Sequence, residues 1–250
     1  MLRVESLTLG YGKKDVVKDI SFSLKEQSLN ILVGENGSGK STLVKGILGI
    51  LKAKSGSVII DNQDIKELKQ KEVAKKISYL PQVRVVPNIT VKSLVSHGRF
   101  PHLSYPRKLG ENDKKFVNEA IKITGIEEFS SQNLINLSGG ERQKVYIAML
   151  ICQDTNIMIL DEPTTYLDIK SRKQFWELAK KLTMIGKTVI VITHDILEGL
   201  QYADNIMVMD KGSLAIYDSV DVVLDSGVLN DIFEINIVKE NDNYIIKNKL

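Results

Sequence analysis

Nine consecutive residues, Gly34-Glu35-Asn36-Gly37-Ser38-Gly39-Lys40-Ser41-Thr42, have the types and spacing to hold a chain of phosphates. They fit the pattern G-x-x-x-x-G-K-[ST] at every fixed position, and the strand-like run Leu29 to Val33 leads into them. Glycines let the backbone wrap an anion without Cβ clashes, so that successive N–H groups point inward. Lys40 is placed to reach the β- and γ-phosphates and Ser41 to hold Mg²⁺. The helix that opens at Lys40 aims its positive end at the same charge.

Other candidate groups follow along the chain. Ile157-Met158-Ile159-Leu160 predicts a strand buried on both faces, and Asp161 and Glu162 emerge at its C-terminal end before Pro163. Carboxylates there are costly unless a cation faces them, so Asp161 is expected to hold Mg²⁺ and Glu162 to orient or deprotonate a water. Gln82 follows the strand Ile77 to Leu80, which Pro81 stops, and so stands where open α/β sheets place ligand contacts. His194 lies just past the apolar strand Thr188 to Ile192, as a γ-phosphate contact or a structural histidine. In Leu137-Ser138-Gly139-Gly140-Glu141, Ser138 is an N-cap and the glycines expose helix-start N–H groups, which makes either a second anion site or only a capped helix. Tyr11, in the turn Gly10-Tyr11-Gly12, is set either to stack on a purine or to pack on the sheet.

The elements that must position these groups read as an alternating α/β chain. Leu2, Val4, Leu7 and Leu9, then Ile20, Phe22 and Leu24, alternate as antiparallel strands before the phosphate loop. Helices are predicted over Thr42 to Ile50 and Lys66 to Lys76, and a strand over Ser57 to Ile60. Between Pro87 and Ile151 helical spacing dominates, over Val91 to Ser96, Lys114 to Ile123 and Glu141 to Ile151. We read residues 87–151 as a helical lobe inserted into an α/β core made of residues 1–86 and 152–250. After the acidic strand come a helix over Ser171 to Ile185, a hairpin through Asp210-Lys211-Gly212, a short helix near Val220 to Asp225 and a closing hairpin around Asn241-Asp242-Asn243.

Composition narrows the function classes. The chain has 250 residues, 43% of them hydrophobic, with 34 basic against 31 acidic side chains and a net charge of +3, so no nucleic-acid partner is expected. The single cysteine, Cys152, lies in an apolar stretch and is expected to be a buried, inert thiol. His97 and His102 have no metal-ligand spacing and are expected at the surface. No apolar run approaches the roughly 20 residues that cross a bilayer, and no signal-peptide core follows Met1, so a cytoplasmic chain is expected.

Taken together and in this order, the motifs resemble those of ATP-binding cassette (ABC) ATPases over nearly the whole chain. Tyr11 matches the adenine-stacking aromatic, Gly34 to Thr42 the phosphate loop, Gln82 the glutamine loop and Leu137 to Glu141 the signature. Ile157 to Glu162 matches the Walker B strand, Leu167-Asp168 the D-loop and His194 the switch histidine. More narrowly, Gly98-Arg99-Phe100-Pro101-His102 and Pro163-Thr164-Thr165-Tyr166-Leu167-Asp168 resemble the ATPases of iron-siderophore, haem and cobalamin importers. Met149 departs from the pattern, since many relatives have an arginine there.

The resemblance implies an α/β fold: a P-loop NTPase (RecA-like) core with an antiparallel β subdomain and an inserted α-helical subdomain. It implies ATP and Mg²⁺ as ligands, with Lys40, Gln82, Glu162 and His194 catalytic and Ser41, Gln82 and Asp161 at the metal. Tyr11, Gly34, Asn36, Gly37, Ser38, Gly39, Lys40, Ser41 and Thr42 would bind one nucleotide, and Ser138, Gly139, Gly140 and Asp168 the nucleotide of a second copy. The implied partners are a homodimer mate in the ATP-bound state, an integral-membrane permease docked on the surface from Val83 to Gly98 and, indirectly, an extracytoplasmic substrate-binding protein. The chain would then sit on the inner face of the membrane through the permease. A chromosome or repair ATPase of the superfamily would insert a long coiled coil before the signature, and no sustained heptads occur here.

Overall fold

The computed structural model describes residues 1–82, 85–241 and 243–247. Alternating apolar side chains place β1 (Leu2–Tyr11) between β2 (Lys14–Ser23) and β4 (Ser55–Ile60), antiparallel to both, with β5 (Gln63–Asp64) at the edge. Tyr11 ends β1, paired with Lys14 and half exposed.

The second sheet is the centre of the molecule. Its order is β10 (Ser213–Ser219), β9 (Asn205–Asp210), β3 (Leu29–Gly34), β8 (Thr188–Ile192), β7 (Ile157–Asp161) and β6 (Ile77–Leu80). Only β10 is antiparallel to its neighbour. Every residue of β3, β7 and β8 is buried, as their unbroken apolar runs predict for strands covered on both faces. Asn30, the polar residue within the run of β3, is satisfied inside: its Oδ1 accepts from Tyr217 Oη at 2.7 Å and from Asn205 Nδ2 at 3.2 Å.

Two apolar clusters cover the two faces. One packs β3, β7, β8 and β9 against α1 (Lys40–Ile47) and the antiparallel sheet, through Leu32, Leu43, Ile159 and Met207. The other packs the opposite face against α6 (Ile169–Met184), α7 (Ile196–Tyr202), α8 (Val220–Asp225) and the helices between β6 and β7. Those helices are α3 (Val91–His97), α4 (Glu111–Thr124) and α5 (Gly139–Cys152). Trp176 of α6 is fully buried, stacked on Tyr202 and donating its indole N–H to Glu198 at 3.2 Å. After α9 (Val228–Phe233), β11 (Asn236–Glu240) and β12 (Asn243–Lys247) form the closing hairpin; Asp242 of its expected turn lies outside the described residues.

Two expectations are corrected. Lys66 to Lys76 is not one helix but a 3₁₀ turn over Ile65–Glu67 and a single turn, α2 (Gln70–Val73). Each piece has its own cap: Asp64 accepts from Lys66 N at 3.0 Å, and Glu72 accepts from Lys69 N at 3.0 Å, with Leu68 and Lys69 extended between them. His97 and His102 are half-buried rather than at the surface. Arg99 draws their loop inward: it is buried, its Nε donating to Asp113 at 2.9 Å, its Nη1 to Cys152 O at 3.0 Å, and its guanidinium lying 4.2 Å over Phe116. His102 Nε2 then meets Gln153 O at 2.8 Å, His97 stacks on Phe100, and burial lowers the pKa of His97. Met149 packs against the apolar core.

The turn between β9 and β10 reaches back to the phosphate loop. Gly212 N donates to Ser38 O at 3.1 Å and Gly212 O accepts from Lys18 N at 2.8 Å. A Cβ there would lie 2.3 Å from Val16 O, on a backbone with φ of 91°. Gly212→Ala is therefore expected to lower the free energy of unfolding by more than about 1 kcal/mol, read as a lower urea midpoint at unchanged m-value.

Burial pushes the Cys152 thiol up to about 12 from its ordinary 9.0. Native protein at neutral pH should leave Cys152 unmodified by a water-soluble disulfide reagent, with full reaction only in denaturant. Between the two pKa values the unfolded chain binds fewer protons than the native one, so this group's contribution to stability is lost as pH rises above about 9.

Candidate active site

The parallel strands deliver their chemistry to one edge of the sheet. The phosphate loop follows β3, Asp161 and Glu162 end β7, His194 follows β8 and Gln82 follows β6. That is the carboxyl edge, where open α/β sheets bind ligands. A cleft of about 510 Å³ opens there, lined by Asn36, Gly37, Lys40, Asp161, Glu162 and His194, with Gly39, Ser41, Thr42, Gln82, Val16 and Ile192 completing its wall. A larger cavity of about 610 Å³ lies at the opposite strand ends, against Ile157 and Thr188, and holds none of these groups.

The loop is shaped as an anion nest. Gly39 has a φ of 104° and forms the left-handed N-cap of α1, where a side chain would crowd Val16 O at 3.1 Å. Lys40 is buried at the first helical position, its Nζ donating to Gly34 O at 2.7 Å and Glu35 O at 2.9 Å. Among the described residues the buried Ser38 Oγ finds no hydrogen-bond partner. Burial lowers the pKa of Lys40, while the nearby carboxylates of Glu162 and Asp161 oppose that shift. Burial likewise raises the pKa of Asp161, opposed chiefly by a hydrogen bond from Tyr79.

Glu162 is the most constrained residue of the cleft. Its φ of 47° is left-handed for a residue with a Cβ, at a cost of roughly 1–3 kcal/mol. Its amide donates to Ile192 O at 3.0 Å, which holds the end of β7 against β8. His194 Nε2 lies 2.5 Å from Oε1; Oε2 accepts from Gln82 Nε2 at 2.5 Å and from Thr165 Oγ1 at 3.3 Å. Three side chains from three segments thus hold one carboxylate.

These residues fit a magnesium-bound triphosphate. The orphaned Ser38 hydroxyl, the turned backbone and Lys40 supply the anion side. Asp161, Ser41 and Gln82 bring side-chain oxygens to the same cleft, of the donor type a hard cation takes. Among the described residues no cluster of three His, Cys, Asp or Glu side chains could hold a metal alone.

The remaining expected residues lie elsewhere. Ser138, Gly139, Gly140, Asp168 and Tyr11 do not line this cleft. Gly139 lines a second one, about 470 Å³, with Arg142, Tyr146, Tyr166 and Leu167, and Gln82 borders both. Ser138 is an N-cap, as its position predicts: its Oγ accepts from Glu141 N at 3.3 Å and its N–H donates to Glu141 Oε2 at 2.7 Å, a capping box at the start of α5. Asp168 caps α6, accepting from Ser171 N and Ser171 Oγ, each at 2.9 Å. Gly140 lies against that same Ser171, which links the start of α5 to the start of α6.

Val16, Tyr79, Thr165 and Gly212 are not among the expected site residues. For Tyr79 the reason is that its place depends on β6 lying beside β7 in a register that puts it on the same face as Asp161, which spacing along the chain does not show.

Among the described residues no helix is long and apolar enough to cross a membrane. The family model described as ABC transporter matches residues 17–165. The chain is 34% identical to the petrobactin import ATP-binding protein FpuD of Bacillus anthracis, over 93% of this chain and 86% of that one. It is 37% identical to the ferric enterobactin transport ATP-binding protein FepC of Escherichia coli, over 85% and 79%. Among solved structures it is similar to a dimeric ATP-binding cassette in a post-hydrolysis state with ADP and Pi, at a TM-score of 0.73 and 29% identity, over 88% of this chain and 99% of that one. The phosphate loop, the acidic strand end and the relatives agree, and the chain belongs to the ABC transporter family, as an ATP-binding subunit that hydrolyses ATP.

Proposed function

We propose that this chain powers an importer of metal chelates of the iron-siderophore, haem or cobalamin type, docked on the inner face of the membrane through a permease. The relatives support that cargo class, being named for the import of petrobactin and of ferric enterobactin. For the permease, the exposed Val85 supports the surface expected from Val83 to Gly98; Val83 itself lies outside the described residues. An extracytoplasmic binding protein would deliver the chelate, and residues 87–151 would act as the lobe that senses the permease.

One observation carries the reading of the chemistry: Lys40, Gln82, Asp161, Glu162 and His194, from four separate strand ends, converge on one cleft, while the signature residues stay outside it. Lys40 and the loop N–H groups would bind the β- and γ-phosphates, with Tyr11 stacking on adenine. Ser41, Asp161 and Gln82 would hold Mg²⁺, which when bound draws electron density from the phosphate oxygens. Glu162 would orient a water and accept its proton, held in place by His194, Gln82 and Thr165. His194, half exposed beside Glu162, is also placed to meet the γ-phosphate.

The remoteness of Gly139 and Gly140 calls for a second copy. Two chains related head to tail by a twofold axis would each close the other's site, with Ser138, Gly139, Gly140 and Asp168 meeting the partner's nucleotide. The relative solved as a dimer with ADP and Pi supports that assembly. Release of the γ-phosphate removes the charge that bridges the halves, and the dimer opens.

Two experiments test this. Glu162→Gln should retain ATP binding, lose turnover by a factor of about 10²–10⁴ and accumulate an ATP-bound dimer in size-exclusion chromatography; undiminished phosphate release would remove Glu162 from the mechanism. A heterodimer of Ser138→Arg and Lys40→Ala chains should keep one intact site, because one site then draws on the unmutated Lys40 and the unmutated Ser138 and the other on both lesions; a heterodimer with no hydrolysing site would exclude the head-to-tail arrangement.

A further inference from the structure

We propose that Tyr79 is a positioning residue for the metal: its hydroxyl holds the Asp161 carboxylate in the orientation that binds magnesium. The inference rests on the reading of Asp161 as a metal ligand given above.

Tyr79 and Asp161 come from neighbouring parallel strands. Tyr79 of β6 is in register with Ile159 of β7, and Asp161 stands two residues beyond Ile159, so both side chains project from the same face. The phenol spans the diagonal between them and donates to Asp161 Oδ2 at 3.2 Å. Among the described residues it is the one side chain that donates to this carboxylate.

The carboxylate needs such a partner. Asp161 is buried, and the torsion that turns its carboxyl group is a broad, two-fold one without sharp preferences. With Oδ2 tied to the phenol, Oδ1 keeps one direction toward the cleft that Lys40 and Ser41 line. Without the tie, the group would be free to turn, and each turn would move the ligand oxygen away from the cation position. Outer partners of this kind set ligand orientation in metal sites, and their loss costs about 10–100-fold in metal affinity.

The ring and the hydroxyl of Tyr79 have separable tasks. The ring packs against the cluster that contains Ile77, Ile157 and Ile159, which a phenylalanine would satisfy equally. The hydroxyl contributes only its bond to Asp161. Tyr79→Phe therefore removes the positional contact and keeps the packing.

The test measures metal binding rather than turnover. Purified full-length wild type, Tyr79→Phe and Asp161→Asn are saturated with adenylyl imidodiphosphate and titrated with Mn²⁺, read by electron paramagnetic resonance. Affinity for the same nucleotide in EDTA and the thermal midpoint without metal are measured alongside. Tyr79→Phe should weaken Mn²⁺ binding by roughly 10–100-fold, toward the value of Asp161→Asn, while both metal-free measurements stay at wild-type values. Wild-type Mn²⁺ affinity in Tyr79→Phe, with Asp161→Asn weakened, overturns the role of Tyr79 alone. Wild-type Mn²⁺ affinity in Asp161→Asn overturns the metal role of Asp161 and this proposal with it. A metal-free loss of nucleotide affinity equal to the loss of Mn²⁺ affinity makes Tyr79 a packing residue and also overturns the proposal.

Discussion

A parallel sheet covered on both faces has no room for charge except at its strand ends, and that constraint shapes this molecule. β3, β7 and β8 are buried along their whole length, so the first places where Lys40, Asp161, Glu162 and His194 can meet water are the turns beyond them. Even there the groups are only partly hydrated. Burial disfavours the charge of Lys40 and of Asp161 alike, and both line one cleft. A ligand that carries phosphates and a divalent cation would offer a counter-charge to each.

The same edge is held from outside. The phosphate loop is clasped by the β9–β10 turn, through Gly212 N to Ser38 O, and that turn is bound to β2 through Lys18 N. The antiparallel sheet thus helps to fix the backbone of the phosphate loop. Val16, on the same strand, lines the cleft itself. On the acidic side, the amide of Glu162 bonds to the end of β8, and the Tyr79 hydroxyl reaches from β6 to Asp161. Each strand neighbouring β7 therefore positions one of its two carboxylates.

The helices between β6 and β7 supply part of the wall of the second cleft. Their end is tied to the core, where Gln153 Nε2 donates to Ala74 O at 2.6 Å, and the buried Arg99 joins the loop after α3 to α4 and to the end of α5. Yet the signature turn at the start of α5 stays outside the cleft that holds Lys40. What it does touch is the start of α6, through Gly140 and Ser171, and Ser171 is held by Asp168. Beside it Tyr166 is 99% exposed. Gln82 borders the cleft of the phosphate loop and the cleft of the signature, and its amide meets Glu162. Thr165 borders the cleft of the signature as well and donates to the same carboxylate.

Much of this was legible in the residues alone, because the interactions concerned are local. The phosphate loop is one contiguous segment whose glycines dictate its turns, and the apolar runs of β3, β7 and β8 announce strands buried on both faces, with polar residues at their ends. The capping box at Ser138 and Glu141 is likewise a spacing of three residues. Tertiary structure alone decided what depends on neighbours distant in the chain. It brought Gln82 and His194 onto the two oxygens of Glu162, placed Tyr79 against Asp161 and made Gly212 indispensable to the phosphate loop. It also broke the expected helix from Lys66 to Lys76 and buried Arg99, since local caps and a distant carboxylate outweighed helical propensity and the usual exposure of charge. Spacing along the chain cannot show which strand ends are neighbours; the strand order of the sheet decides that, and with it which side chains share a site.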